Sequence, residues 1–177
     1  MKARVMIVAC MAGFSAFAFT RPQTGSAYSI IKDARPFDNS GLNRTAYYKA
    51  MQEDNKGLVN AQLDELKQAP ASERDAFIGA MTMKKAGLGG NPFTRLNLFI
   101  EGHKLLEEAI SQHPFNAEFR FLRVMIQENA PGFLGYNDNV DSDVQYIRKL
   151  FKSLSGDLQL TIAEYSKKSK VLKLNIS

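Results

Sequence analysis

Beyond about residue 41, apolar positions recur at intervals of three and four, and no stretch alternates persuasively between apolar and polar. The pattern predicts seven helices. The first spans about 43–54, with Leu42, Ala46, Ala50 and Met51 on one face, and Asn55-Lys56-Gly57 breaks it. A second runs to about 68 through Val59, Leu63 and Leu66, and Pro70 stops it. Ser72-Glu73-Arg74-Asp75 has the form of a capping box and opens a third, which carries Phe77, Ala80, Met81 and Lys84 and ends near Gly87. After the loop Gly89-Gly90-Asn91-Pro92, the fourth covers about 95–112 with Phe99, Gly102, Leu106, Ala109 and Ile110 as its stripe, closed by Pro114. A fifth covers about 117–128, with Phe119, Leu122, Met125 and Ile126 facing inward. The aromatic loop Pro131–Tyr136 precedes a sixth, built on Val140, Val144, Ile147, Phe151 and Leu154. A seventh starts near Asp157, with Leu158, Ile162 and Tyr165. The expected fold is all-α: about seven helices packed as antiparallel hairpins.

The first residues follow a different logic. Lys2 and Arg4 precede an uncharged, apolar run from Val5 to Phe19. Such a run is short of the ~20 residues a spanning helix needs. It fits the hydrophobic region of a signal peptide, with Ala16-Phe17-Ala18 as the exit. A buried N-terminal helix is the competing structural view. Ile7-Val8-Ala9-Cys10 also resembles a lipobox, which would anchor the chain through Cys10. The chain therefore divides into a signal peptide at 1–18, a mobile leader at 19–41 rich in Ser, Thr, Gly and Pro, and one α-helical domain at 42–177. The expected location is periplasmic or secreted, with no integral membrane span.

Two resemblances sharpen this picture. Gly102, Leu106, Ala109 and Pro114 follow one another as small, large, small and proline, and Asn116-Ala117-Glu118-Phe119 comes next. Over about 77–122 this resembles a tetratricopeptide-repeat helical hairpin, in degenerate form. The resemblance implies that small residues let two helices approach closely. A generic helical hairpin would use the same small residues. Met83-Lys84-Lys85-Ala86-Gly87, Glu107-Glu108-Ala109-Ile110 and Phe119-Arg120-Phe121-Leu122-Arg123 make the chain similar to a group of short exported bacterial proteins. That resemblance implies export and a helical domain, and carries no activity.

Composition narrows the chemistry. The chain has 177 residues, 45% hydrophobic and 23% charged, with one Cys and no Trp, which excludes collagen-like, disulfide-framework and low-complexity classes. Its formal charge is +5. Cleavage after Ala18 leaves 21 Lys and Arg against 18 Asp and Glu, a charge of +3, and removes the only thiol. Without that thiol there is no disulfide, thiolate metal site or cysteine catalysis. No G-x-S-x-G, H-E-x-x-H, P-loop, G-x-G-x-x-G or calcium loop is present, so no cofactor and no metal is expected. His103 and Glu107 stand one turn apart and could reach one cation, but a solvated helix face explains them better. Asp138, Asp141 and Asp143 read as acidic residues favouring a helix N-terminus. Lys167, Lys168, Lys170 and Lys173 form a basic tail. Such a cluster could touch anionic lipid or nucleic acid. The lack of interleaved aromatics and the export signal argue against nucleic acid, and a frayed C-terminus is the plainer account.

The best candidate site lies on the fifth helix. Asn116, Arg120, Arg123 and Gln127 share one face, and two arginines a turn apart can grip a carboxylate bidentately. With Phe133 and Tyr136 in the adjacent loop, the candidate binding residues are Arg120, Arg123, Gln127, Phe133 and Tyr136, for a protein or peptide partner with acidic groups. The alternatives are an ordinary solvated face, or arginines paired with Glu118 and Glu128 inside a helix stack. The functional expectation is a non-enzymatic interaction or scaffold protein of the cell envelope. The alternative is a hydrolase-type enzyme using Glu107, Glu108 and Glu128 as acid and base.

Overall fold

The computed structural model describes residues 42–68 and 71–174, and side chains except those of 69–73 and 175–177 within the domain. The expected signal peptide, leader, Cys10 anchor and Ser72 capping box lie outside what is described. Seven α-helices make up the described chain: α1 Arg44–Gln52, α2 Lys56–Leu66, α3 Ala71–Gly87, α4 Pro92–Gln112, α5 Ala117–Asn129, α6 Val140–Leu150 and α7 Gly156–Lys168. Short 3-10 turns at Gly132–Leu134 and Phe151–Ser153 interrupt them, and the described residues contain no strand. The all-α expectation holds.

Asparagine sets most of the helix starts. The Asn43, Asn55, Asn91 and Asn116 side chains each accept a backbone N–H of the turn that follows, as Ser155 does for α7. Those amides have no partner inside the helix, and a cap of this kind is worth about 1 kcal/mol. Asn91 is followed by Pro92 at the first helical position, where its ring costs nothing, so α4 begins one turn earlier than the periodicity suggested.

α3 and α4 form a long antiparallel hairpin whose backbones meet at Gly79 and Gly102. A Cβ placed on Gly102 would lie 2.5 Å from the Gly79 carbonyl oxygen and 2.9 Å from the Met83 nitrogen. Gly102 therefore sits where two helices touch, as the small-residue pattern anticipated. Arg95 Nε donates to the Ala86 carbonyl at 2.9 Å and ties the two ends of the hairpin loop together.

α5 is the central element. Of its side chains from Ala117 to Gln127, all are buried except that of Arg120, which is half-buried. It is not a helix with one polar and one apolar face. α1 packs on it through Tyr48 against Phe121, and α7 through Tyr165 edge-on to the same ring, with centroids 5.6 and 5.4 Å apart. Tyr47 meets Phe77 of α3 edge-on and donates its hydroxyl to the Phe77 carbonyl at 2.9 Å. One hydrophobic cluster extends from Leu42 to Leu172. Each large side chain buried in it contributes roughly 1.5–3 kcal/mol by leaving water.

The chain after α7 is anchored. Leu172 is fully buried, and Ser169 accepts the backbone N–H groups of Val171 and Leu172 on its hydroxyl. The expected frayed terminus is thus corrected as far as residue 174. No described helix is long and apolar enough to cross a membrane.

Candidate functional site

The arginine face of α5 is covered by α4, α6 and the 131–139 loop. Asp143 lies in the first turn of α6 with its carboxylate fully buried. Arg123 holds that carboxylate with two parallel bonds, Nε to Oδ2 at 2.7 Å and Nη2 to Oδ1 at 2.9 Å. Its remaining arm, Nη1, donates to Glu107 Oε2 of α4 at 2.7 Å. Arg120 donates Nη1 to Asp143 Oδ1 at 2.7 Å. Its Nε and Nη2 both reach the Pro114 carbonyl, at 3.1 and 2.8 Å. The Tyr146 ring lies 4.6 Å below the guanidinium. Tyr136 donates its hydroxyl to Glu107 Oε1 at 2.5 Å and closes the cluster.

Two guanidinium and two carboxylate groups leave this cluster formally neutral. Burial works against the Arg123 charge, yet the Asp143 and Glu107 carboxylates outweigh it and raise the pKa further. Burial, and then Glu107, holds the Tyr136 hydroxyl well above its ordinary range, so it stays a donor. Such a network joins three helices in one arrangement, and removing one member strands the others in a dry site.

The structure thus brings Arg120, Arg123 and Tyr136 together and gives each an internal partner. Gln127 is buried on the same face, with an Oε1 that accepts no hydrogen bond among the described residues. Phe133 stands apart, 88% exposed on its 3-10 turn. The face is not solvated. The arginine partners are Asp143 and Glu107 rather than Glu118 and Glu128. Glu118 is buried elsewhere, accepting from Arg44 Nε and the Tyr48 hydroxyl at 2.9 Å each. Glu128 receives the Tyr165 and Ser169 hydroxyls and the Lys170 backbone N–H. Asp143, expected to serve the helix N-terminus, is the hub of the ion network.

The carboxylates considered for acid–base chemistry each engage different partners. Glu107 is engaged by Arg123 and Tyr136, Glu128 binds the C-terminal segment, and exposed Glu108 accepts from Gln112 at 3.4 Å. His103 packs against the Tyr136 ring at 4.7 Å and lies parallel to Phe99, rather than facing solvent with Glu107. Among the described residues no three His, Cys, Asp or Glu side chains gather as a metal site would require.

One feature escaped the sequence. Phe93, Leu96 and Ile100 recur three and four apart on α4 and are 73%, 45% and 56% exposed. Half-buried Phe99 sits beside them and meets the Tyr136 ring at 5.7 Å, so the loop bearing Phe133 is seated on this helix. The signal lay in α4 itself, whose first half carries apolar residues on more than the stripe through Gly102 and Leu106.

No protein-family model, curated protein or solved structure matches the chain.

Proposed function

We propose that this protein is an exported, non-enzymatic helical module that binds a protein or peptide of the cell envelope through the outer face of α4 and the adjoining aromatic loop. The observation that carries this reading is the row Phe93, Leu96 and Ile100, displayed to solvent on the helix against which the loop bearing the exposed Phe133 is seated through Tyr136. Large apolar side chains grouped on a rigid helix are what interface cores are made from, and scattered single ones are not. The donors of Arg120 and Arg123 are engaged internally, so apolar contact rather than an acidic group anchors the proposed partner. Export rests on Lys2, Arg4, the run Val5–Phe19 and the Ala16-Phe17-Ala18 exit. The close crossing at Gly79 and Gly102 supports the tetratricopeptide-like reading of 77–122.

A photo-crosslinking residue at Leu96 tests the proposal in exporting cells. An adduct with a second protein should form there and vanish when Phe93 and Ile100 are both replaced by Ser. Both side chains are exposed, so the melting temperature should barely move. An adduct that survives the double substitution, or none at all, overturns the reading.

A further inference from the structure

The C-terminal segment and the end of α6 are fastened together. Arg148 Nε donates to the Lys173 carbonyl at 2.8 Å, and Nη2 reaches the Val171 carbonyl at 3.5 Å. Ser169 and Leu172 turn inward, while Lys170 and Lys173 point to solvent. Lys149 and Lys152 project from the neighbouring end of α6 and the turn after it. None of these four lysines forms an ion pair among the described residues. The nearest carboxylate of the segment, Glu128, lies beneath it and is occupied. Helix polarity accounts for Lys149 in the last turn of α6. It accounts equally for Lys152 in the 3-10 turn that continues α6, but not for Lys173, which lies well beyond the end of α7.

We propose that this basic face docks the domain onto a bilayer rich in anionic phospholipid. Charge complementarity carries the argument. Arg148 holds the segment bearing Lys170 and Lys173 against the end of α6 that bears Lys149 and Lys152, so four unpaired ammonium groups flank one fixed contact, and each lysine near a negative bilayer adds to its attraction. The character of the surface selects a diffuse field of headgroups over a discrete phosphate. The one guanidinium is engaged with carbonyls, leaving flexible point charges without a bidentate fork. The α6 C-terminus also repels an anion held at close range. No exposed aromatic side chain lies among these lysines to stack bases, which disfavours single-stranded nucleic acid. The inference takes from the proposed export only which bilayer is met, and it does not involve the α4 face.

Vesicle co-sedimentation of the full chain decides it, comparing phosphatidylcholine alone with a mixture containing phosphatidylglycerol. An apolar run such as Val5–Phe19 adds vesicle affinity that does not depend on headgroup charge, so the informative quantity is the anionic preference of wild type against a variant in the same chain. Lys149, Lys152, Lys170 and Lys173 are all replaced by Gln. At about fivefold per lysine, the preference should fall several hundredfold, while a quadruple Arg variant keeps it. Wild-type binding should also weaken steeply with added salt. A Gln variant that keeps the preference, or a wild type without one, overturns the proposal. Duplex DNA binding that the Gln variant loses while vesicle binding persists would also overturn it, by assigning the face to nucleic acid.

Discussion

Replacing Gly102 by Ala adds one methyl group at the tightest point of the fold. On the present backbone that methyl would lie 2.5 Å from the Gly79 oxygen, 2.8 Å from Met83 Cγ and 2.9 Å from the Met83 nitrogen. Two of these are backbone atoms, so no rotamer change relieves them and α3 must move away from α4. Overpacking typically costs ~1–3 kcal/mol, and backbone contact on α3 places this site at the upper end. Ala in a helix interior regains about 1 kcal/mol over Gly, leaving a net loss of about 2 kcal/mol. For a domain of about 130 residues, unfolding entropy makes that a fall of roughly 7 °C in melting temperature. Gly102→Leu should lose far more. Gly87→Ala is the control: it ends the same α3 helix, its added Cβ meets nothing within 4 Å, and its melting temperature should hold or rise slightly. Thermal unfolding followed by circular dichroism reads all three. Gly102→Ala melting at or above wild type would refute the close-crossing argument and the helix pairing drawn from it.

Asp143→Ala should strand Arg120 and Arg123 in a buried site and cost about 3–5 kcal/mol in chemical denaturation. Asp54→Ala, which removes an exposed partner of Lys84, should leave the midpoint almost unchanged, and equal effects would refute the ranking. Burial holds the Glu118 carboxyl above its ordinary 4.5, although Arg44 and Tyr48 pull it down. The folded state keeps that proton longer than the unfolded chain. Its contribution is therefore full below about pH 4.5 and lost as pH rises through the folded value. The melting temperature of wild type relative to Glu118→Gln should accordingly decline as the pH rises above about 4.5, and a constant or rising difference refutes the sign. N-terminal sequencing of the exported product should start near Phe19, and an intact Met1 in the cytoplasm would contradict export.

Helix number and order were legible because periodicity is local. Val59, Leu106, Ile147 and Ile162, each placed on an inward stripe, are all buried. Gly102 was legible too, since a glycine inside a strong apolar stripe is destabilising unless a neighbour needs the space. Tyr47 and Tyr48 were missed, although both are buried. Their hydroxyls made them look like polar positions, yet each finds an acceptor, the Phe77 carbonyl and Glu118, and a satisfied tyrosine packs as an aromatic. The asparagine caps were also open to view, one directly before each of four helices.

The arginine site was only half legible, for a physical reason. Spacing establishes that Arg120 and Arg123 share a face of α5. Whether that face meets water depends on Glu107 and Asp143, on two other helices, and no short-range pattern encodes such pairing. An indirect signal did exist. Between Phe119 and Ile126 the apolar residues include Phe121 and Val124, which fall outside the stripe through Phe119, Leu122 and Ile126. A helix apolar on several faces is enclosed by the protein, and an enclosed arginine must find a carboxylate or lose the free energy of hydration. The same reasoning explains the C-terminal segment. Ser169 and Leu172 stand three apart between exposed lysines, so one side of the segment can enter the core while its charges stay in water. Lysine composition alone suggested fraying. The buried leucine and the Glu128 acceptor that anchor the segment belong to tertiary structure, and they give the lysines the fixed position on which the membrane proposal depends.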